Sequence, residues 1–229
     1  MSIVKTDIVL PDNCKKLAFI LDNVLSEDEC EALIQETSDK GYEKAPLIGG
    51  DSQILDTTVR NSQRCIIDSK EKANWLWDKI KDFIPETWNG QPIVGLNERL
   101  RFLRYNTGEY FKPHEDNDYA RPDDSERSFI TIQLYLSSGF EGGNTIFLSN
   151  KNCLTKKNSR KENCMLCCIK PVSLVWKKND KQNVGVVPRP GRILVFQHDI
   201  MHEGTVLRKG TKYTMRTDIM YNTKLDNPN

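Results

Sequence analysis

Three side chains in this sequence have the types and spacing of a metal site: His114, Asp116 and His202. His114 and Asp116 stand two positions apart, and residues two apart on an extended strand share a face. His202 lies far downstream and can close the same site from a neighbouring strand. Two imidazoles and one carboxylate on one face of an octahedral ion leave the opposite positions open. This is the ligand arrangement of non-haem Fe(II) oxygenases. The chain has only three His, and the third, His198, stands just upstream of His202, so few rival ligand sets exist.

A site with three protein ligands leaves two positions that can chelate a keto acid and a third that can take O2. An anionic cosubstrate also needs a fixed cation in the pocket wall. Lys212 and Arg216 follow His202 by ten and fourteen positions. They are an even number of residues apart, so a strand puts them on one face. Either or both can hold a distal carboxylate, Arg as a bidentate fork and Lys as a compact point charge. The opposite orientation of that strand would turn Tyr213 and Met215 inward instead. Tyr105 is a further pocket candidate, as a donor to the same carboxylate or as a buried Tyr bonded to backbone. Asn106, Tyr110 and Phe111 are read as packing residues.

The elements that must position these groups fall into two textures. Early in the chain, Ala18 to Leu25 reads as a strand, and Ser26 with Glu29 forms a capping box for a helix that Gly41 ends. Ser69 to Ile84 reads as a second helix, with Ala73, Leu76, Trp77, Ile80 and Phe83 on one stripe and Pro85 as its stop. Ala45 to Thr58 reads as a loop and Thr58 to Ile67 as extended. Arg60-Asn61 there either lines a substrate groove or begins an ordinary solvated strand. From Leu96 onward short strands alternate with Gly turns: Arg99 to Tyr105, Tyr110 to Asp116, Ser128 to Leu136, Asn144 to Leu148, Val184 to Pro188, Arg192 to Gln197 and Lys212 to Tyr221. That pattern argues a sandwich or barrel-like β core, with the early helices on one face. The expected organisation is one domain, with helical support over 1–95 and a catalytic core over 96–229. A Cys/Lys-rich insertion at about 149–183 interrupts the core. Cys153, Cys164, Cys167 and Cys168 cluster there, and Cys164-Met165-Leu166-Cys167 can place two thiolates on a zinc ion; otherwise these are thiols on a surface insertion.

Composition narrows the function classes. The 229 residues carry a net charge of +1, which gives no broad field for a polyanion. The acidic run from Asp116 to Asp124 speaks further against nucleic acid. No apolar run approaches about 18 residues, so no membrane span is expected. Met1 to Leu10 lacks the pattern of a secretory signal. Seven Cys do not complete a disulfide framework. These features fit a cytoplasmic or nuclear protein. Oligomeric state is not legible.

The text Leu100 to Asp116 (LRFLRYNTGEYFKPHED), Ile130 to Phe147 (ITIQLYLSSGFEGGNTIF) and Pro188 to Tyr221 (PRPGRILVFQHDIMHEGTVLRKGTKYTMRTDIMY) resembles the prolyl 4-hydroxylase-like branch of the 2-oxoglutarate- and Fe(II)-dependent dioxygenases. Ala18 to Gly41 is similar to the opening strand and helix of that group. The resemblance implies a mainly β fold with flanking helices: a double-stranded β-helix (jelly roll, cupin-like) with N-terminal helices packed on its major sheet. It implies His114, Asp116 and His202 as iron ligands, Lys212 as the partner of the distal carboxylate of 2-oxoglutarate, and Tyr105 as a cosubstrate contact. The family usually has a small residue where Arg216 stands, so Arg216 takes over or shares the role of Lys212. The implied cofactors are Fe(II), 2-oxoglutarate, O2 and ascorbate. With Asp116 in place, the open halide position of related halogenases is not expected.

The implied reaction is hydroxylation of a protein or peptide, with proline the residue the resemblance points to, coupled to decarboxylation of 2-oxoglutarate to succinate and CO2. The alternatives are the same chemistry on a small molecule or a nucleic-acid base, and a non-catalytic jelly-roll module that binds a metal or a partner.

Overall fold

The computed structural model describes residues 2–49, 52–149 and 182–224. Its first half contains β1 (Val4–Asp7), β2 (Ala18–Asp22), α1 (Glu27–Lys40), β3 (Glu43–Lys44), β4 (Leu47–Gly49), β5 (Ser52–Ile54), β6 (Gln63–Asp68), α2 (Lys70–Ile80), β7 (Thr87–Trp88) and β8 (Gln91–Leu96). The described residues of the second half contain the strands β9 (Arg99–Asn106), β10 (Phe111–His114), β11 (Glu126–Tyr135), β12 (Glu141–Gly142), β13 (Thr145–Phe147), β14 (Val184–Val186), β15 (Ile193–Gln197), β16 (His202–Gly204), β17 (Leu207–Lys209) and β18 (Thr211–Asn222). The fold is mainly β, and no helix among the described residues is long and apolar enough to cross a membrane.

A large sheet runs in the order β1-β2-β15-β11-β18-β9-β6-β3, with β8 also paired to β18. A smaller sheet has the order β10-β16-β13-β14. Period-2 alternation divides the side chains of the large sheet between two faces. Ile130, Ile132 and Leu134 of β11, Met215 and Ile219 of β18, and Leu100 and Phe102 of β9 share one apolar cluster with Cys30 and Leu33 of α1 and with Ala73, Leu76 and Ile80 of α2. The intervening residues Thr131, Gln133 and Tyr135, Lys212 and Arg216, and Arg101, Leu103 and Tyr105 occupy the other face. Tyr135 there joins Leu194 and Phe196 of β15 and Phe147 of β13 in a second cluster.

The local signals for the helices are met in detail. The Ser26 hydroxyl accepts the Glu29 N–H at 3.1 Å, and the Glu29 carboxylate accepts the Ser26 N–H at 2.8 Å. Such a cap contributes about 1 kcal/mol. Gly41 then leaves the helix at a φ of 92°, which a residue with a Cβ rarely adopts. α2 is shorter than expected: a 3-10 turn over Lys81–Phe83 replaces its last turn, and Ile84 is extended ahead of Pro85.

Other expectations are corrected. The segment from Ala45 to Thr58, read as a loop, contains the antiparallel pair β4-β5. The extended stretch read from Thr58 begins only at Gln63; before it, Arg60 makes a single bridge to Phe111. The strand read from Tyr110 to Asp116 stops at His114, so Asp116 lies beyond it. The short strands β1, β7, β8, β16 and β17 were not anticipated. Cys153, Cys164, Cys167 and Cys168 lie outside the described residues.

Candidate active site

His114 ends β10 and His202 begins β16, and the antiparallel register sets them directly opposite each other. Their ring centroids are 4.3 Å apart. Each ring is oriented by a carbonyl two residues earlier: His114 Nδ1 lies 2.7 Å from the Lys112 oxygen and His202 Nδ1 lies 2.8 Å from the Ile200 oxygen. A carbonyl can only accept, so Nδ1 carries the proton in both rings and each Nε2 keeps its lone pair. Phe111 stacks on His114 at 3.5 Å between centroids and fixes the ring plane.

Asp116 reaches the pair without being on the strand, because its N–H donates to the His198 carbonyl at 2.9 Å. Its Oδ1 is 3.8 Å from His114 Nε2, and its Oδ2 is 4.0 Å from His202 Nε2. One donor atom from each of the three residues can be chosen so that all lie within 4.8 Å of one another. Thr131 on β11 donates to Oδ2 at 2.6 Å, and Arg216 Nη1 lies 2.9 Å from Oδ1.

The charge states suit a cation. Burial pushes both imidazoles below their ordinary range, that of His114 furthest, so they stay neutral. Burial also opposes ionisation of Asp116, but the Arg216 guanidinium beside it outweighs burial, and the carboxyl lies well below the carboxylate range. Two neutral nitrogen donors and one carboxylate are a donor set that fits Fe(II).

The same pocket is lined by Lys212, Arg216 and Tyr105, and also by Arg60, Arg101 and Gln133. Lys212 is 3% exposed, and its ammonium donates to the Gly143 carbonyl at 2.5 Å. It lies 5.1 Å from the centre of the Tyr105 ring and 5.6 Å from that of Tyr135. Burial alone pulls its pKa down to about 7. The EGG turn makes this placement possible. Gly143 has a φ of +65°, and a Cβ there would come within 3.1 Å of the Lys212 side chain. At Gly142 a Cβ would meet the Val206 carbonyl at 2.4 Å.

The model of the 2OG-Fe(II) oxygenase superfamily matches residues 100–217, about half of the chain. The chain belongs to this superfamily. Probable prolyl 4-hydroxylase 6 of Arabidopsis thaliana is 29% identical to this chain over 193 residues, which cover 78% of the chain and 57% of the relative. Prolyl 4-hydroxylase 2 of the same plant is 26% identical over 229 residues, covering 93% of the chain and 70% of the relative. The chain therefore spans little more than half the length of the first of these relatives. Among solved structures, a prolyl-4-hydroxylase of Pseudomonas putida aligns with a TM-score of 0.57 at 17% identity, over 90% of this chain and 93% of its own. A prolyl hydroxylase of Trichoplax adhaerens, solved with a hypoxia inducible factor oxygen degradation domain peptide fragment, aligns with a TM-score of 0.60 at 14% identity. It covers 88% of this chain and 82% of its own. At these identities the structures show a shared fold.

The chain thus gathers His114, Asp116, His202, Tyr105, Lys212 and Arg216 around one cavity. His198 stays outside the triad: it is buried, with Nε2 3.5 Å from Asp218 Oδ1. Sequence reasoning missed Thr131, Arg101, Asp218 and Gly143. Thr131 and Gly143 lie in segments that the resemblance already covered, and an inward-facing Thr beside apolar neighbours was the available signal. Nothing local marked Arg101 and Asp218 as partners, because they meet only through the β9-β18 pairing.

Proposed function

We propose that this chain is a 2-oxoglutarate- and Fe(II)-dependent hydroxylase of a protein or peptide, acting at proline. We read the two facing sheets as the double-stranded β-helix of such enzymes, and α1 and α2 as the cover of the major sheet. One observation carries the reading: a neutral His, a second neutral His and an ionised Asp converge on the wall of a pocket that also holds a lysine with no carboxylate partner among the described residues. The names of the relatives and the peptide bound to the Trichoplax enzyme support the substrate class.

In this reading His114, Asp116 and His202 hold the iron, which when bound supplies the activation of O2 and the oxidation of the substrate C–H bond. The net change is one oxygen atom into the substrate and one into succinate, with loss of CO2 from 2-oxoglutarate. The chain's own groups position the reactants. The Lys112 and Ile200 carbonyls keep each Nε2 free to donate. Lys212 takes the distal carboxylate of 2-oxoglutarate, and the Tyr105 ring beside it walls that carboxylate from water. Arg60, with its guanidinium 4.8 Å from the Phe111 ring, flanks the first ligand strand where substrate would lie. Ascorbate would serve as an accessory reductant.

The test is mass spectrometry of candidate proline peptides incubated with the protein, iron and 2-oxoglutarate. Gain of one oxygen that requires 2-oxoglutarate and releases succinate supports the proposal. Metal binding with no succinate release, alone or with any peptide, would favour a non-catalytic module. Oxygen gain on small molecules or bases but not peptides would move the substrate class.

A further inference from the structure

Asp116 sits in a network of partly and fully buried charged groups larger than a metal ligand needs. Arg216 Nη1 meets its Oδ1 at 2.9 Å, and Arg216 Nη2 meets Asp218 Oδ1 at 3.1 Å. Asp218 is gripped from the next strand by Arg101 Nη1 at 3.1 Å on Oδ2. His198 Nε2 lies 3.5 Å from Asp218 Oδ1, and the carbonyl of the same His198 accepts the Asp116 N–H. Asp116, Arg216, Asp218 and Arg101 are therefore joined in one chain of ion pairs, with the His198 ring packed beside it and making no hydrogen bond of its own. The side chains of Asp116 and Asp218 are 4% and 2% exposed, and that of Arg216 is 20% exposed.

Arg216 and Asp218 are two residues apart on β18, so both project from one face. Both Nη groups of Arg216 are on carboxylates while its Nε has no partner among the described residues, and a planar fork held in this way fixes direction as well as charge. Thr131 holds the other oxygen of Asp116. The carboxylate thus has one support on each oxygen, which sets its plane relative to the two Nε2 atoms. Lys212 by contrast has only a carbonyl and two ring faces around it.

We propose that Arg216 is the positioning residue of the metal site. Anchored by Asp218, it presets the Asp116 carboxylate in the orientation that takes the ion, and it leaves the distal carboxylate of the cosubstrate to Lys212. The inference rests on the reading of His114, Asp116 and His202 as the metal ligands.

The experiment is calorimetric titration of the full chain with Mn(II) alone, with thermal unfolding of each variant as the check on folding. Arg216→Met is expected to weaken Mn(II) by about 10–100-fold, the usual effect of removing a group that orients a ligand. Arg216→Lys, which keeps the charge but not the fork, should recover part of the loss. If Arg216→Met does not fold, the double change Arg216→Met with Asp218→Asn removes one charge of each sign and carries the same expectation. A folded Arg216→Met, or that folded double variant, binding Mn(II) within about twofold of the wild type overturns the proposal. So does a variant whose metal affinity holds while its 2-oxoglutarate affinity at saturating metal falls tenfold, since Arg216 would then be a cosubstrate clamp. Failure of the wild type itself to bind Mn(II) overturns the metal reading beneath it, which is a different result.

Discussion

The ammonium of Lys212 donates to the carbonyl oxygen of Gly143, and no described carboxylate pairs with it. A buried cation satisfied only by a neutral acceptor is costly to keep charged, which is why burial pulls its pKa to about 7. An incoming carboxylate would relieve that cost. Lys212→Ala should therefore raise the 2-oxoglutarate requirement by about 10–100-fold, the worth of one charge-assisted hydrogen bond of roughly 1.5–3 kcal/mol. Initial rates against 2-oxoglutarate at saturating iron measure this. If Arg216→Ala has the larger effect, the two cations have been given the wrong roles.

The same lysine predicts a pH dependence. In the free protein burial brings its pKa to about 7, and a bound carboxylate favours the charged form, so binding raises that pKa. Affinity for 2-oxoglutarate should be level below about pH 7 and fall above it by up to about tenfold per unit. Arg stays charged throughout this range, so Lys212→Arg should flatten the fall. A wild-type profile that is flat from pH 6 to 9, measured as KM at saturating metal, contradicts the role of Lys212.

His114→Ala and Asp116→Ala each remove one of the three proposed ligands. Both should lose metal by more than about 100-fold and turn over no substrate, since even groups behind the ligands are worth 10–100-fold. Metal content after gel filtration and succinate release are the two readouts. A variant that retains both removes the triad from the mechanism.

Gly143→Ala puts a methyl within 3.1 Å of the Lys212 side chain at a backbone angle that L residues avoid. The angle alone costs about 1–2 kcal/mol of stability. The expected signature is a lowered melting temperature together with a raised KM for 2-oxoglutarate. Unchanged KM in a destabilised variant would mean that the turn supports the fold and not the lysine.

The sequence was most legible where local chemistry decides structure. Ser26 with Glu29 announces a capped helix, and the apolar stretch from Ser128 to Leu136 announces a strand; both are present. The clustered trio His114, Asp116 and His202 was legible as residue types, although the strand geometry expected for it was only half right. Asp116 is not on the strand of His114, and it reaches the site through a backbone bond to His198 that no spacing rule encodes. β1 has all four residues exposed and so shows no periodicity, and β16 is only three residues long. The chain of ion pairs behind Asp116 was illegible for a third reason. Arg101 and Asp218 are far apart in sequence and meet because β9 and β18 pair in one register. A buried arginine looks no different in sequence from a solvated one.

β18 carries both Lys212 and Arg216, and it is hydrogen-bonded to β9 on one side and β11 on the other. The strand is therefore a gauge: four residues of extended chain, about 13 Å, set the pitch between the two cations. Exchanging either side chain alters one station on that gauge. Slipping the strand by a single residue would send both cations to the opposite surface and bring Tyr213 and Met215 into the cavity. The site should tolerate substitution along β18 far better than any insertion or deletion within it.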